Sequence, residues 1–413
     1  MDAYYKYLNM LINKNKTAFS SYNINWINPG DIDFYQNKRA ELLKADRMQY
    51  LFNDTKPFYK AISPGCRICG EGNWSCLFIN GRCNANCFYC PAPQTSDDPP
   101  ISQGLTFETA ESYSEYINYF GFKGASFSGG EPLLSADKVV KYLKQLRKNS
   151  DPKLYIWMYT NGILANENTF KELAEHGLNE IRFDLGATGY KLEGLKKAIG
   201  IIPNVTVEIP AVPEELKKLK SLLHTLDNLG VKYLNLHQLR LTQHNAPKLT
   251  KHPYTFIHAE QPIVLESELT ALELLSYAAK ENLNIGINYC SFFFKNRYQR
   301  AGYQSIINNK LKNPYEPITD KGFIRIRNGS ELRYETYKLW DQSTQNKNAQ
   351  TLKLSHKTYQ IRRIEAEKFK LYDDMQILFT ELIEAKDKKI PNNEFLFRIW
   401  QHEQIENGLR DLF

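Results

Sequence analysis

From residue 107 onward the apolar positions switch repeatedly between a period near 3.6 and a period of two. Helical spacing over 107–120 gives way to a short run at 125–128, and the exchange recurs at 136–148 and 154–160, at 168–176 and 181–185, and at 192–201 and 205–209. Leu216, Leu219, Leu222, Leu223 and Leu226 then mark one helical face before the run 233–239. Gly177 and Gly230 stop two of these helices, as glycine does where the chain must turn left-handed. With the earlier run Leu77-Phe78-Ile79, six strands separated by helices predict a parallel sheet with right-handed crossovers.

The alternation within the strands decides between an open sheet and a barrel. Ile181, Phe183 and Leu185 oppose Arg182 and Asp184; Val205, Val207 and Ile209 oppose Thr206 and Glu208; Leu234 and Leu236 oppose Asn235 and His237; Ala125 and Phe127 oppose Ser126 and Ser128. Strands covered by helices on both faces read as continuously apolar, and a closed eight-stranded barrel fills its centre with branched apolar side chains. A polar inner face predicts an α/β fold with a partial, TIM-like (β/α)6 barrel and a wide lumen that holds ligands.

Three regions follow. Residues 1–62 read as a mostly helical extension, 63–293 as the partial barrel, and 294–413 as a small α+β appendage with strand-like runs at 323–327 and 359–363 and an amphipathic helix at 366–384. Inside the barrel region, 242–261 reads as a loop, 266–280 as a helix, and 285–289 as a late strand of the same sheet that ends in Cys290.

The chemistry concentrates in the cysteines. Six of the seven lie between positions 66 and 90, and three of these, in Cys83-Asn-Ala-Asn-Cys87-Phe-Tyr-Cys90, sit on one short loop directly after the first strand. Soft thiolates at this spacing select an iron–sulfur cluster, zinc or cuprous copper. Three ligands leave one position of a four-iron cluster open, which suits catalysis rather than a structural role. The alternative is a zinc knuckle completed by histidine, in a non-catalytic interaction protein; the nearest histidine in the chain is His176. The remaining Cys66, Cys69, Cys76 and Cys290 are enough for a second, closed site, either [4Fe-4S] or zinc, or are simply buried thiols.

With the aromatic Tyr89 before its last cysteine, the loop resembles the cluster loop of the radical S-adenosylmethionine (radical SAM) superfamily. Ser128-Gly129-Gly130-Glu131-Pro132, about forty residues on, resembles the Gly-Gly-Glu-Pro motif that in this superfamily meets the amino group of the methionyl part of SAM. The order of these motifs with Tyr-Thr-Asn-Gly, Glu-Ile-Arg-Phe-Asp, Asn-Leu-His-Gln-Leu and Asn-Tyr-Cys-Ser is similar to a radical SAM group related to pyruvate formate-lyase activating enzyme. The resemblance implies the partial barrel and a [4Fe-4S] cluster on Cys83, Cys87 and Cys90. It implies that SAM chelates the open iron and is cleaved to a 5′-deoxyadenosyl radical, and that an electron donor such as flavodoxin or ferredoxin supplies the electron. It places Thr160 and Asn161 near SAM, Asp184 and Glu208 at its carboxylate and ribose, and Ile209-Pro210-Ala211-Val212-Pro213 and Tyr89 beside the adenine. Asn235, His237 and Gln238 end the last of the six strands and are candidates to face substrate.

A formal charge of +7 spread over a chain of this size describes a solvated surface and argues against a nucleic-acid groove. The first residues show no signal-peptide pattern and no apolar stretch is long enough for a membrane span, which predicts a cytoplasmic protein. A peptide or protein is the expected substrate, since two flanking regions and a second metal site suit a large partner held partly outside the barrel; a glycyl-radical enzyme or a small metabolite is the alternative.

Overall fold

A computed structural model describes residues 3–328, 331–341, 350–354 and 357–365. Two helices, α1 (Ala3–Ala18) and α2 (Ile32–Leu43), precede a hairpin of β1 (Met48–Leu51) and β2 (Lys56–Tyr59). Helix α3 (Pro64–Gly70) then leads into β3 (Trp74–Arg82). From there strands and helices alternate: α4 (Ala110–Phe120), β4 (Gly124–Gly129), α5 (Ala136–Asn149), β5 (Tyr155–Thr160), α6 (Glu167–Glu175), β6 (Glu180–Phe183), β7 (Asn204–Pro210), α7 (Leu216–Asn228), β8 (Tyr233–His237), α8 (Leu265–Lys280) and β9 (Gly286–Cys290). The helix starts and stops are chemical. Thr109 caps α4 through its hydroxyl, Asn166 caps α6, and α4 ends at Gly121 with a φ of 69°.

Strands β3 through β9 run parallel in spatial order 3-4-5-6-7-8-9, so the sheet has seven parallel strands where the six main runs alone predict six. The order never returns to β3, and the sheet is an open, partial TIM-like barrel. The extension contributes to it as well as helices: β2 pairs antiparallel with β9, and β1 with β2. The turn between them carries Asn53 and Asp54 at positive φ, 48° and 60°, a conformation those short polar side chains tolerate.

The outward face packs against the helices. Leu77, Phe127, Met158, Phe183, Val207 and Leu236 are fully buried there, with Val139, Leu143 and Leu146 of α5 and Leu223 and Leu226 of α7 over them. Each such side chain contributes about 1.5–3 kcal/mol. The inward face is polar, as the alternation predicts, and lines two adjoining cavities of about 320 and about 720 Å³.

Beyond the barrel, α9 (Ala301–Leu311) and a four-stranded antiparallel sheet follow: β10 (Ile324–Asn328), β11 (Glu331–Asp341), β12 (Gln350–Leu354) and β13 (Lys357–Glu365), in order 10-11-13-12. This sheet shares the barrel's core: Tyr359 packs on Phe107, and its hydroxyl donates to the Thr106 carbonyl at 3.0 Å. The helix expected at 366–384 lies outside the described residues. Among the described residues, no helix is long and apolar enough to cross a membrane.

Candidate active site

The three-cysteine loop leaves the C-terminal end of β3, and its base is tied shut. Gly81 and Arg82 pair antiparallel with Ser96 and Thr95, and the Cys83 amide donates to the Gln94 carbonyl at 3.3 Å. The other side of the loop is pinned by the segment after β8: Thr242 Oγ1 donates to the Pro91 carbonyl, Asn245 Nδ2 to the Tyr89 carbonyl and Lys248 Nζ to Asn86 Oδ1. Nitrogen donors point at the sulfurs. Gln94 Nε2 lies 2.7 Å from Cys90 Sγ, the Ala85 amide 3.4 Å from Cys83 Sγ, and Asn161 Nδ2 3.6 Å from the same sulfur. Burial pushes the Cys87 thiol up to about 11 in the absence of a cation, so metal binding has to release its proton. All three cysteines line the smaller cavity.

Ser128-Gly129-Gly130-Glu131 ends β4 against the exit of β3. The Gly130 amide donates to the Asn80 carbonyl and that of Glu131 to the Arg82 carbonyl. A Cβ at Gly129 would fall on the Asn80 carbonyl oxygen, and one at Gly130 on that of Arg82; Gly129 also has a φ of 120°. The glycines therefore let this turn lie flat against the chain entering the cysteine loop. The Glu131 side chain is 1% exposed, and its carboxylate accepts from the Leu133 amide (3.0 Å), Thr160 Oγ1 (2.7 Å) and the Asn161 amide (2.7 Å). Glu131 and Thr160 thus join the ends of β4 and β5, and Asn161 is left to reach Asn84 and Cys83 in the loop. Gly130→Ala is expected to lower stability by about 1–3 kcal/mol, because the obstacle is backbone that cannot rotate aside. A chemical denaturation curve checks this, and an unchanged midpoint would contradict the packing described.

The lumen beside the loop holds a chain of polar contacts. Both oxygens of Asp184 accept from the Tyr89 hydroxyl at 3.0 Å, and burial pushes its carboxyl up to about 6. Glu208 accepts from Arg182 Nη1 (2.8 Å) and Asn235 Nδ2 (2.9 Å) and meets His237 Nε2 at 2.6 Å. The Arg182 charge, with the hydrogen bonds from His237 and Asn235, holds its carboxyl well below the usual carboxylate range. His237 Nδ1 lies 2.7 Å from Lys295 Nζ. An ammonium has only hydrogens to offer, so Nδ1 accepts and the ring proton sits on Nε2, facing Glu208. Asn235 and His237 face the lumen; Gln238 also lines it, with its side chain bonded to the Phe292 amide and the Val264 carbonyl.

The other four cysteines line the larger cavity. Ser63 caps α3 by accepting from the Cys66 amide, which fixes the turn that presents Cys66 and, three residues on, Cys69 to this cavity. Cys290 ends β9, level with His237 on β8. Lys56 of β2, 1% exposed, reaches Cys290 Sγ at 2.7 Å; Gln299 Nε2 reaches Cys69 Sγ at 2.6 Å, and Asn288 Nδ2 faces Cys66 Sγ at 4.0 Å. Cys76 stands across the cavity on β3, in register with Ser126. Among the described residues, no three His, Cys, Asp or Glu side chains have closed to metal-ligand distance, so the fit of either set to a metal rests on its soft donors and the N–H groups turned towards them.

Sequence reasoning passed over Lys56, Tyr159, Arg240, Phe292 and Lys295, all of which line these cavities. Tyr159 was accessible from strand alternation. The others had no signal: they come from the hairpin and from segments past β8 and β9, where no periodic pattern says which way a side chain points.

The Radical SAM superfamily model matches residues 77–209, from within β3 to near the end of β7. A Methanocaldococcus jannaschii protein carrying the name of a glycyl-radical enzyme activating enzyme is 30% identical over 281 residues, covering 64% of this chain and 73% of that protein. A GTP 3′,8-cyclase of Petrotoga mobilis is 33% identical over 147 residues, 30% of this chain and 42% of that protein. Among solved structures, Streptococcus suis SuiB bound to S-adenosylmethionine has a TM-score of 0.40 at 11% identity, covering 59% of this chain and 52% of that one. HydG, a maturase of the [FeFe]-hydrogenase, has 0.39 at 14%, covering 70% and 68%. On the sequence matches, the chain belongs to the radical SAM superfamily, as an enzyme that uses S-adenosylmethionine with a [4Fe-4S] cluster.

Proposed function

We propose that Cys83, Cys87 and Cys90 hold the [4Fe-4S] cluster, that SAM lies in the lumen between this loop and β4 to β7, and that the substrate is a peptide or protein. The observation that carries the site is the meeting of the cysteine loop, the Gly129-Gly130 turn, Asn161, Asp184 and Glu208 around one cavity of about 320 Å³. Held there, a [4Fe-4S] cluster would supply the one-electron reduction of SAM on which hydrogen abstraction from the substrate depends. The chain's own residues orient and enclose. Glu131 and Thr160 fix the exits of β4 and β5, Asn161 and Gln94 donate to cysteine sulfurs, and Tyr89 holds Asp184 in one position.

The same reading gives Cys66, Cys69, Cys76 and Cys290 a second metal, [4Fe-4S] or zinc. Lys56 supports it: an ammonium buried against a sulfur is far better compensated by a thiolate than by a neutral thiol.

The macromolecular substrate is supported by the archaeal relative, whose name describes action on an enzyme. The appendage also offers the edge strands β10 and β12, to which an extended peptide can add by main-chain hydrogen bonds. The competing small-metabolite reading comes from the cyclase relative. Reconstituted enzyme should form 5′-deoxyadenosine several-fold faster with a candidate peptide or glycyl-radical protein encoded beside its gene, with deuterium from that substrate appearing in the product. Stimulation by GTP with none by the polypeptide would overturn this substrate reading.

A further inference from the structure

The two lumen cavities share a wall, and its charge does not balance. Arg240, Phe292 and Lys295 line both cavities. The Arg240 guanidinium sits 5.0 Å and the Lys295 ammonium 4.7 Å from the centre of the same Phe292 ring. Lys295 donates to neutral His237, and Arg240 Nη1 to the amide oxygen of Gln261 at 3.1 Å. Neither cation has a carboxylate partner among the described residues. The nearby Glu208 is already taken by Arg182, Asn235 and His237. Burial, and for Lys295 the neighbouring Arg240 charge, pulls both cations down by more than the nearby Cys290, Glu208 and Cys90 offset. Such a pair is costly to maintain unless an anion arrives to meet it.

We propose that Lys295 and Arg240 bind an oxyanion of the substrate, a carboxylate or a phosphate, and so hold the substrate between the two cysteine sets. Phe292 spaces the two cations and gives the substrate an apolar contact beside its charged group. The forked guanidinium suits a planar or tetrahedral oxyanion, and Lys295 retains ammonium hydrogens beyond the one given to His237. His237 and Glu208 are positioning residues in this account, because the ring aims the ammonium. The inference deepens the radical SAM reading of the lumen and rests on it.

The test uses anaerobically reconstituted holoenzyme with glutarate and inorganic pyrophosphate as probes, titrated calorimetrically. At least one probe should bind wild type, and Lys295→Met and Arg240→Met should each weaken it about ten-fold or more, the scale of a lost charge-assisted hydrogen bond. Lys295→Arg should restore most of the loss, and Lys220→Met on the outer helix α7 should change nothing. Glutarate binding alone assigns a carboxylate; pyrophosphate binding alone assigns a phosphate. Equal affinity in wild type and the double variant, including no binding by either, overturns the proposal. So does a parallel fall in SAM affinity, which would put the pair on SAM's own carboxylate, or a loss of metal from the Cys290 set, which would put it on the metal. Cleavage of SAM by wild type is scored separately: probe binding through this pair without cleavage defeats the radical reading alone, and cleavage without probe discrimination defeats the anion site alone.

Discussion

Arg182→Met is expected to destabilise the folded protein by about 3–5 kcal/mol, the cost of leaving buried charges without their partner. Arg182 is 1% exposed and lines both lumen cavities. Its Nε donates to Glu180 at 2.9 Å, Nη1 to Glu208 at 2.8 Å and Nη2 to Ser63 Oγ at 3.2 Å, while the guanidinium lies over the Trp157 and Tyr159 rings. Glu180 is fully buried and keeps only the neutral donors Tyr155 and Thr206 once the arginine is gone. Helix α3 is affected too, since Gly65 packs directly on the guanidinium and Ser63 caps the turn that presents Cys66. Arg182→Lys should recover only part of the loss, because an ammonium cannot span both carboxylates and the serine. Urea unfolding of the two variants checks this; a change below about 1 kcal/mol in Arg182→Met would show that the network is not what holds the lumen wall together.

The Cys83/Cys87/Cys90→Ala triple variant is expected to lose one metal centre and keep the other. The two sets line different cavities and stand on different elements, the first on the loop after β3 and the second on α3, β3 and β9. Their scaffolds are separately braced, the loop by Gln94, Asn161 and residues 242–248, the second set by Ser63, Lys56 and Gln299. Removing the first three thiols leaves every contact of the second set in place. The variant should therefore retain about half of the iron, or the whole of any zinc, bound by wild type. If it binds neither metal, Cys66, Cys69, Cys76 and Cys290 are buried thiols and Lys56 needs another explanation.

Much of this was legible because parallel barrels write themselves plainly in sequence. Helices cover one face, so Phe183, Val207 and Leu236 alternate with Arg182, Glu208 and Asn235, and the polar set is the lumen. The cysteine loop was legible for a different reason: thiol spacing is local and needs no fold to interpret. What stayed hidden depends on long-range pairing. The hairpin β1–β2 is too short to show periodicity, and only its pairing with β9 brings Lys56 to Cys290. The hydrogen bonds of the Glu131 carboxylate to Thr160 and to the Leu133 and Asn161 amides were equally hidden, because they join the ends of two strands that sequence does not pair. Lys295 follows three phenylalanines and carries no pattern, yet it reaches the lumen because α3 and β9 set that segment over the barrel.

The proposed site puts the cleavage of SAM at the loop from Cys83 to Cys90. The most direct measurement is the 5′-deoxyadenosine and methionine formed when anaerobically reconstituted protein is given SAM and a strong reductant. Wild type should form both in equal amounts, and the Cys83/Cys87/Cys90→Ala variant should form neither above the level of a control without protein. Undiminished 5′-deoxyadenosine from the triple variant would contradict the assignment.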